Sequence, residues 1–220
     1  MSGGADLGES DRTPAGPGAS GRVTERLLAE LDRSANISLT RPTAADTTAD
    51  PVEAAALALA QATRRSSPFS LVPADPLAVV AAEWQGMWDL SRGGLIGAVL
   101  FEEQVAHALA AWRARRFELP DYYLVLAGIE ATGGPGAGGT SGTSGAADFY
   151  LGPVRAARPH RVAVVAGADG PEQAAEVRDA LRSLRPGPWW PPLDELLDTA
   201  RRFFAGGLAE ASTALASPGR

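Results

Sequence analysis

Two short stretches bring chemically capable side chains together. Arg155, Arg158, His160 and Arg161 set three guanidiniums and one imidazole within seven residues. Arginine offers a planar fork of donors that fits a phosphate or a carboxylate, so this run is the candidate site for a small anionic ligand. In an extended chain Arg155 and Arg161 share one face and Arg158 and His160 the other, with Pro159 interrupting that parity. The second stretch is Pro188-Trp189-Trp190-Pro191-Pro192. Adjacent tryptophans flanked by prolines do not fit a regular helix, and in a bend they point in different directions, so that one can be buried while the other stays exposed. Tryptophan is the commonest interface anchor and proline lowers the ordering cost of binding, which makes Trp189 and Trp190 the candidate partner-binding residues.

Other constellations are weaker. His160 titrates near neutrality and suits a general base. A triad would add a nucleophile and an orienting carboxylate, for which Asp148 is the nearest, yet no G-x-S-x-G elbow presents a serine. No catalytic residue is assigned. Glu102, Glu103 and His107 share a helical stretch, with Glu103 and His107 four apart. Metal-binding bundles set Glu and His three apart and repeat the pair on a second helix. Here Gln104 stands at that position and no second copy exists, so no metal ligand is assigned and no cofactor is expected. The glycine-rich run from Gly134 to Ser141 follows a strand pattern and has phosphate-loop spacing, but Thr140 stands where lysine belongs. It is expected to lead into another strand rather than a helix, which makes it a flexible hairpin connection. Trp84 and Trp88, with Met87 between them and Trp112 on the next helix, form a stripe expected in the core.

Absences narrow the function further. The chain has 220 residues, no cysteine and no lysine, so all 20 basic side chains are arginine. Disulfides, thiolate nucleophiles, Schiff-base lysines and phosphate-loop lysines are excluded. Such Arg-only usage, rich in Ala, Gly and Pro, points to a GC-rich, actinobacterial type of genome. The net charge of −6 argues against nucleic acid and anionic lipid as partners. Three arginines on phosphates would give a salt slope of only about −2.7. No run approaches the ~20 apolar residues that span a bilayer, and residues 1–20 lack a targeting pattern. A cytoplasmic protein is expected.

The elements that must position these side chains follow from pattern. Residues 1–20 carry no apolar period and read as a disordered tail. Val23, Leu27, Leu28 and Leu31 mark a short amphipathic helix, followed by a linker to residue 49. The domain proper is expected over 50–206. Asp50-Pro51-Val52-Glu53 is a helix start, and Asp75-Pro76 repeats the signal. A third helix is expected near 95–117. Residues 121–131, 148–151 and 161–167 read as strands, the first and last apolar on both faces. Pro171 opens a helix with Ala174, Val177, Leu181 and Leu184. After the Pro186–Pro192 bend a last helix is expected to stop at Gly206-Gly207, leaving residues 207–220 as a tail. The predicted fold class is α+β: a small, mainly antiparallel sheet of about three strands, packed with helices, with a loop over 133–145.

Of the 220 residues 45% are hydrophobic, but 43 of these are alanine. The core is therefore modest. The functional expectation is a non-enzymatic, cytoplasmic interaction or regulatory adaptor module with a protein partner. The alternative is an enzyme or sensor that holds an anionic ligand through Arg155, Arg158, His160 and Arg161.

Overall fold

Helix-start chemistry sets the frame of the first half. In the computed structural model, which describes residues 19–42, 50–88, 94–126, 144–166 and 170–216, the Asp50 carboxylate accepts from the amide of Val52 at 2.9 Å, and Pro51 opens the helix where no amide is needed. The element order is α1 (Ala19–Asp32), β1 (Ile37–Leu39), α2 (Pro51–Ala62), β2 (Phe69–Leu71), α3 (Ala78–Gly86), α4 (Gly94–Arg113), β3 (Tyr123–Leu126), α5 (Ser144–Phe149), α6 (Arg155–Ala157), β4 (Val162–Val165), α7 (Gly170–Ser183) and α8 (Leu193–Ala216). A π turn over Tyr150–Val154 joins α5 to α6 around Pro153, whose missing amide cannot serve an ordinary helical turn. A 3-10 turn over Pro159–Arg161 leads into β4.

The class is α+β, but the sheet differs from the expected three antiparallel strands. Among the described residues there are four short strands in two parallel pairs. Ile37 and Leu39 of β1 face Phe69 and Leu71 of β2, and Tyr123 through Leu126 of β3 face Val162 through Val165 of β4. Parallel pairing needs a long crossover, and each pair has one: α2 lies between β1 and β2, and α5, the π turn and α6 lie between β3 and β4. Asp148–Leu151, expected as a strand, falls in that second crossover. The glycine-rich run therefore precedes a helix. The run itself lies outside the described residues, as do residues 1–18 and 217–220.

β3 and β4 separate two cores. Tyr123, Val125 and Val162 join the larger one, where Leu77, Phe101, Phe149, Leu193, Leu196 and Leu197 are fully buried among α3, α4, α5 and α8. Leu124, Leu126 and Val165 join the smaller one with Leu27 and Leu31 of α1 and Ala174, Val177 and Leu181 of α7. Apolar residues on both faces of β3 reflect this double burial. The segment read as a helix plus linker thus supplies α1 and β1 to the packing. Close approach of α3 and α4 depends on glycine: a Cβ on Gly97 would lie 2.7 Å from the carbonyl oxygen of Gly86. Gly206-Gly207 does not end α8, which runs on to Ala216. Glycine weakens a helix by about 1 kcal/mol per residue without forbidding it, and the sequence beyond is rich in alanine.

Gln173 on the first turn of α7 is fully buried, and neither amide atom has a hydrogen-bond partner among the described residues. An orphaned buried polar group costs about 1–3 kcal/mol. Gln173→Met keeps the volume and removes the polar atoms, so it is expected to raise the unfolding free energy by about that amount, read by urea denaturation. A loss of stability would show that the amide has a partner the fold needs.

Candidate functional site

The parallel pairing of β3 and β4 puts their two entry points side by side, Asp121 and Tyr122 before one strand and His160 and Arg161 before the other. The proline-rich bend between α7 and α8 crosses this edge. Its prolines at 186, 188, 191 and 192 have no amide hydrogen, so the bend cannot join a ladder, yet its carbonyls still need donors. Side chains of the edge supply them. Tyr122 donates to the carbonyl of Arg185 at 2.9 Å. Arg161 donates from Nη2 to the carbonyl of Gly187 at 3.0 Å and from Nε to that of Pro188 at 2.8 Å, while its Nη1 donates to the carbonyl of Asp121 at 2.7 Å. His160 Nε2 lies 3.1 Å from the Pro188 oxygen, which fixes it as the protonated nitrogen, and Arg158 Nε donates to Trp189 at 2.6 Å.

Arg161 is only 4% exposed and has no carboxylate partner among the described residues. Carbonyl dipoles and two aromatic faces surround its charge instead. The guanidinium carbon lies 4.5 Å from the Trp189 ring centre and 5.2 Å from that of Tyr122. Of the four residues proposed from sequence as an anion site, Arg158, His160 and Arg161 are brought together on the bend. Arg155 is exposed on α6 and is not part of that cluster.

The two tryptophans separate. Trp190 is buried, donates from Nε1 to the carbonyl of Pro120 at 2.7 Å, and packs edge-on against Tyr123 at 5.5 Å. Trp189 is 53% exposed, the most exposed aromatic described, and is held by Arg158 through its carbonyl and by Arg161 through its ring. Trp84 belongs to the core, donating to the carbonyl of Ala200 at 3.1 Å, while Trp88 packs on Phe204 and Trp112 on Phe117.

Sequence patterns missed a polar knot behind Trp190. The Asp75 carboxylate accepts from Tyr123 at 3.0 Å and from Tyr150 in a shorter contact. Asp75-Pro76 reads in sequence as a helix start alone, and nothing local shows that tyrosines 48 and 75 residues away converge on it. Burial raises the Asp75 pKa, and the tyrosine and Leu77 amide hydrogen bonds offset this only in part. Burial, then the nearby Asp75 charge, pushes both tyrosines well above their ordinary range. Elsewhere His107 Nε2 lies 2.6 Å from Asp50 rather than pairing with Glu103, and Glu102 is held by Arg201, whose hydrogen bonds lower its pKa. Among the described residues no three His, Asp or Glu side chains converge on a point where a metal ion would fit, and no helix is long and apolar enough to cross a membrane.

No protein-family model, curated protein or solved structure matches the chain.

Arg161→Lys keeps the charge but replaces a fork that reaches three carbonyls with a single ammonium. Both Arg161→Lys and Arg161→Ala are expected to lower stability by about 2–4 kcal/mol, from carbonyls left without donors. Full stability in the lysine variant under urea denaturation would show that the fork is not what holds the bend. A raised carboxyl pKa favours the protonated folded state, so the contribution of Asp75 is complete below its ordinary value of 3.8 and is lost as pH rises through the raised value. Asp75→Asn still bonds both tyrosines and does not ionise. Its melting temperature is expected to fall less than the wild type's between pH 4 and pH 7, and parallel profiles would contradict the assignment.

Proposed function

We propose that this chain is a non-enzymatic interaction module of the cytoplasm, and that it docks a protein partner through Trp189 and the proline-rich bend. The observation that carries this reading is an indole more than half exposed yet fixed in place, by the Arg158 hydrogen bond to its carbonyl and the Arg161 guanidinium beside its ring. A large aromatic surface already ordered before binding loses little entropy when a partner covers it. Tryptophan and arginine are the residues most enriched at the energetic centres of interfaces. The prolines on either side hold the backbone in one conformation, so the ring is presented in one orientation.

The anionic-ligand alternative has less support. The donors of Arg158, His160 and Arg161 are directed at carbonyls of the chain itself. A phosphate or carboxylate would have to displace those contacts and leave the bend without donors. Arg155 and one terminal nitrogen of Arg158, which makes no hydrogen bond among the described residues, would remain to meet the ligand.

Trp189→Ala is the discriminating substitution, because Trp190→Ala would also remove core packing. The variant loses one ring beside Arg161, which is expected to lower the melting temperature by only about 2–4 °C, and to weaken binding of a stoichiometric partner, captured from nuclease-treated lysate of the native host, by at least about 30-fold. A partner retained with unchanged affinity, or no partner on the wild-type chain, would remove this reading.

A further inference from the structure

Several arginines of this chain end on a carboxylate brought from elsewhere in the sequence: Arg41 on Glu25, Arg116 on Glu53 and Arg201 on Glu102. The guanidiniums around Trp189 do not. Among the described residues Arg155, Arg158 and Arg161 have no carboxylate partner, although the chain carries 26 acidic residues. Arg161 is covered and spends its donors on carbonyls. Arg158 is only half-buried. Its Nε donates to the Trp189 carbonyl and its Nη1 to that of Ala157, which leaves Nη2 without a hydrogen bond and open to solvent. Arg155 is exposed. The amide of Arg158 still donates to the carbonyl of Val154 at 3.2 Å, so the turn of α6 continues to it and places Arg155 about one turn away.

We infer that the segment docking on Trp189 is acidic. An Asp or Glu side chain of the partner takes the free Nη2 of Arg158, a second meets Arg155, and an apolar side chain beside them covers the indole. This rests on the Trp189 docking reading and names the chemistry of its partner. Desolvation is the reason. Arg158 is bonded to the backbone of Trp189, so a protein surface that covers the indole also takes water from that guanidinium. A charged donor left without an acceptor under an interface is costly. The carbonyls of the bend cannot help, because they already accept from Arg158, His160 and Arg161. A carboxylate replaces the lost water with a charge-assisted bond and matches the planar guanidinium. A neutral segment would leave Nη2 bare, and a basic one would also set charge against Arg155. Arg161 occupies one face of the indole, so the apolar contact falls on the other.

An exposed ring beside arginines also has the chemistry of single-strand nucleic-acid binding, with a base on the ring and phosphates on the guanidiniums. Two open guanidiniums give a salt slope of only about −1.4 for a single strand. The net charge of −6 opposes a long polyanion more than a short acidic segment, since charges beyond about 10 Å are largely screened. The local pair of arginines favours the protein segment.

Phage-displayed random peptides, panned on the full wild-type chain and counter-screened on Trp189→Ala, test it. Peptides lost on the variant are expected to be enriched in Asp and Glu next to a large apolar residue. A synthetic copy of the tightest one is expected to lose at least about tenfold in affinity when its acidic residues are changed to the matching amides. Against Arg155→Gln it is expected to lose about two- to fivefold. The Arg155 side chain makes no hydrogen bond or ion pair among the described residues, so that variant is expected to keep the wild-type melting temperature. Trp189-dependent peptides without acidic enrichment, or amide copies that bind as tightly, would overturn the acidic assignment and leave docking through Trp189 in place. No Trp189-dependent peptide at all would overturn both. Oligothymidylate that binds the wild type and not Trp189→Ala would overturn the assignment to a protein segment.

Discussion

A bend made largely of proline has carbonyls to satisfy and few amides with which to satisfy anything, and the guanidinium of Arg161 answers that constraint. Its three nitrogens reach the carbonyls of Asp121, Gly187 and Pro188, so one side chain ties the entry of β3 to the bend that leads into α8. Tyr122, Arg158 and His160 complete the set. Covering a charge without a carboxylate partner carries a desolvation cost. Here that cost is met by charge-assisted hydrogen bonds in fixed directions and by two aromatic rings. The same contacts decide that Trp190 turns inward and Trp189 outward.

From Trp190 the packing continues inward as a series of ring contacts. Trp190 meets Tyr123, Tyr123 meets Tyr150, Tyr150 meets Phe149, and Phe149 meets Trp84, which in turn meets Trp88. All but the tilted Tyr123–Tyr150 pair are edge-on, and aromatic pairs of this kind contribute about 0.5–1.5 kcal/mol each beyond the area they cover. Asp75 sits beside the tyrosine step of this series and opposes it, because a buried carboxylate loses solvation that two phenols only partly replace. Its hydrogen bonds fix where Tyr123 and Tyr150 meet, and so connect the start of α3 to β3 and to the π turn.

Composition sharpens the meaning of what is left outside. Alanine accounts for 43 of the residues, so large apolar side chains are scarce and the core needs those it has. Even so, Trp189, Ile96 and Val99 face solvent. Scattered exposed apolar residues are ordinary on any surface. An indole pinned beside a guanidinium is not scattered, and the bend that carries it is fixed to the core through Trp190.

The local content of the sequence was legible. The Asp50-Pro51 start, the apolar stripe of α7 from Ala174 to Leu181, the helix after the bend and the strands β3 and β4 all follow from capping chemistry and period, which act over a few residues. Length defeated the reading of β1 and β2, since three residues are too few to show alternation. Asp148–Leu151 mixes aromatic and aliphatic residues in a way that fits a strand as well as a helix, and packing against α3 and α8 decided between them. Parallel strand direction was likewise open, because it depends on where a crossover lies. The arginine–histidine run and the tryptophan pair were visible as two separate features. That they form one unit was decided by tertiary structure, since the Arg161 donors and their acceptors are 26 to 40 residues apart in the chain. Sequence determines which groups need partners, and the fold determines which of them come within 3 Å.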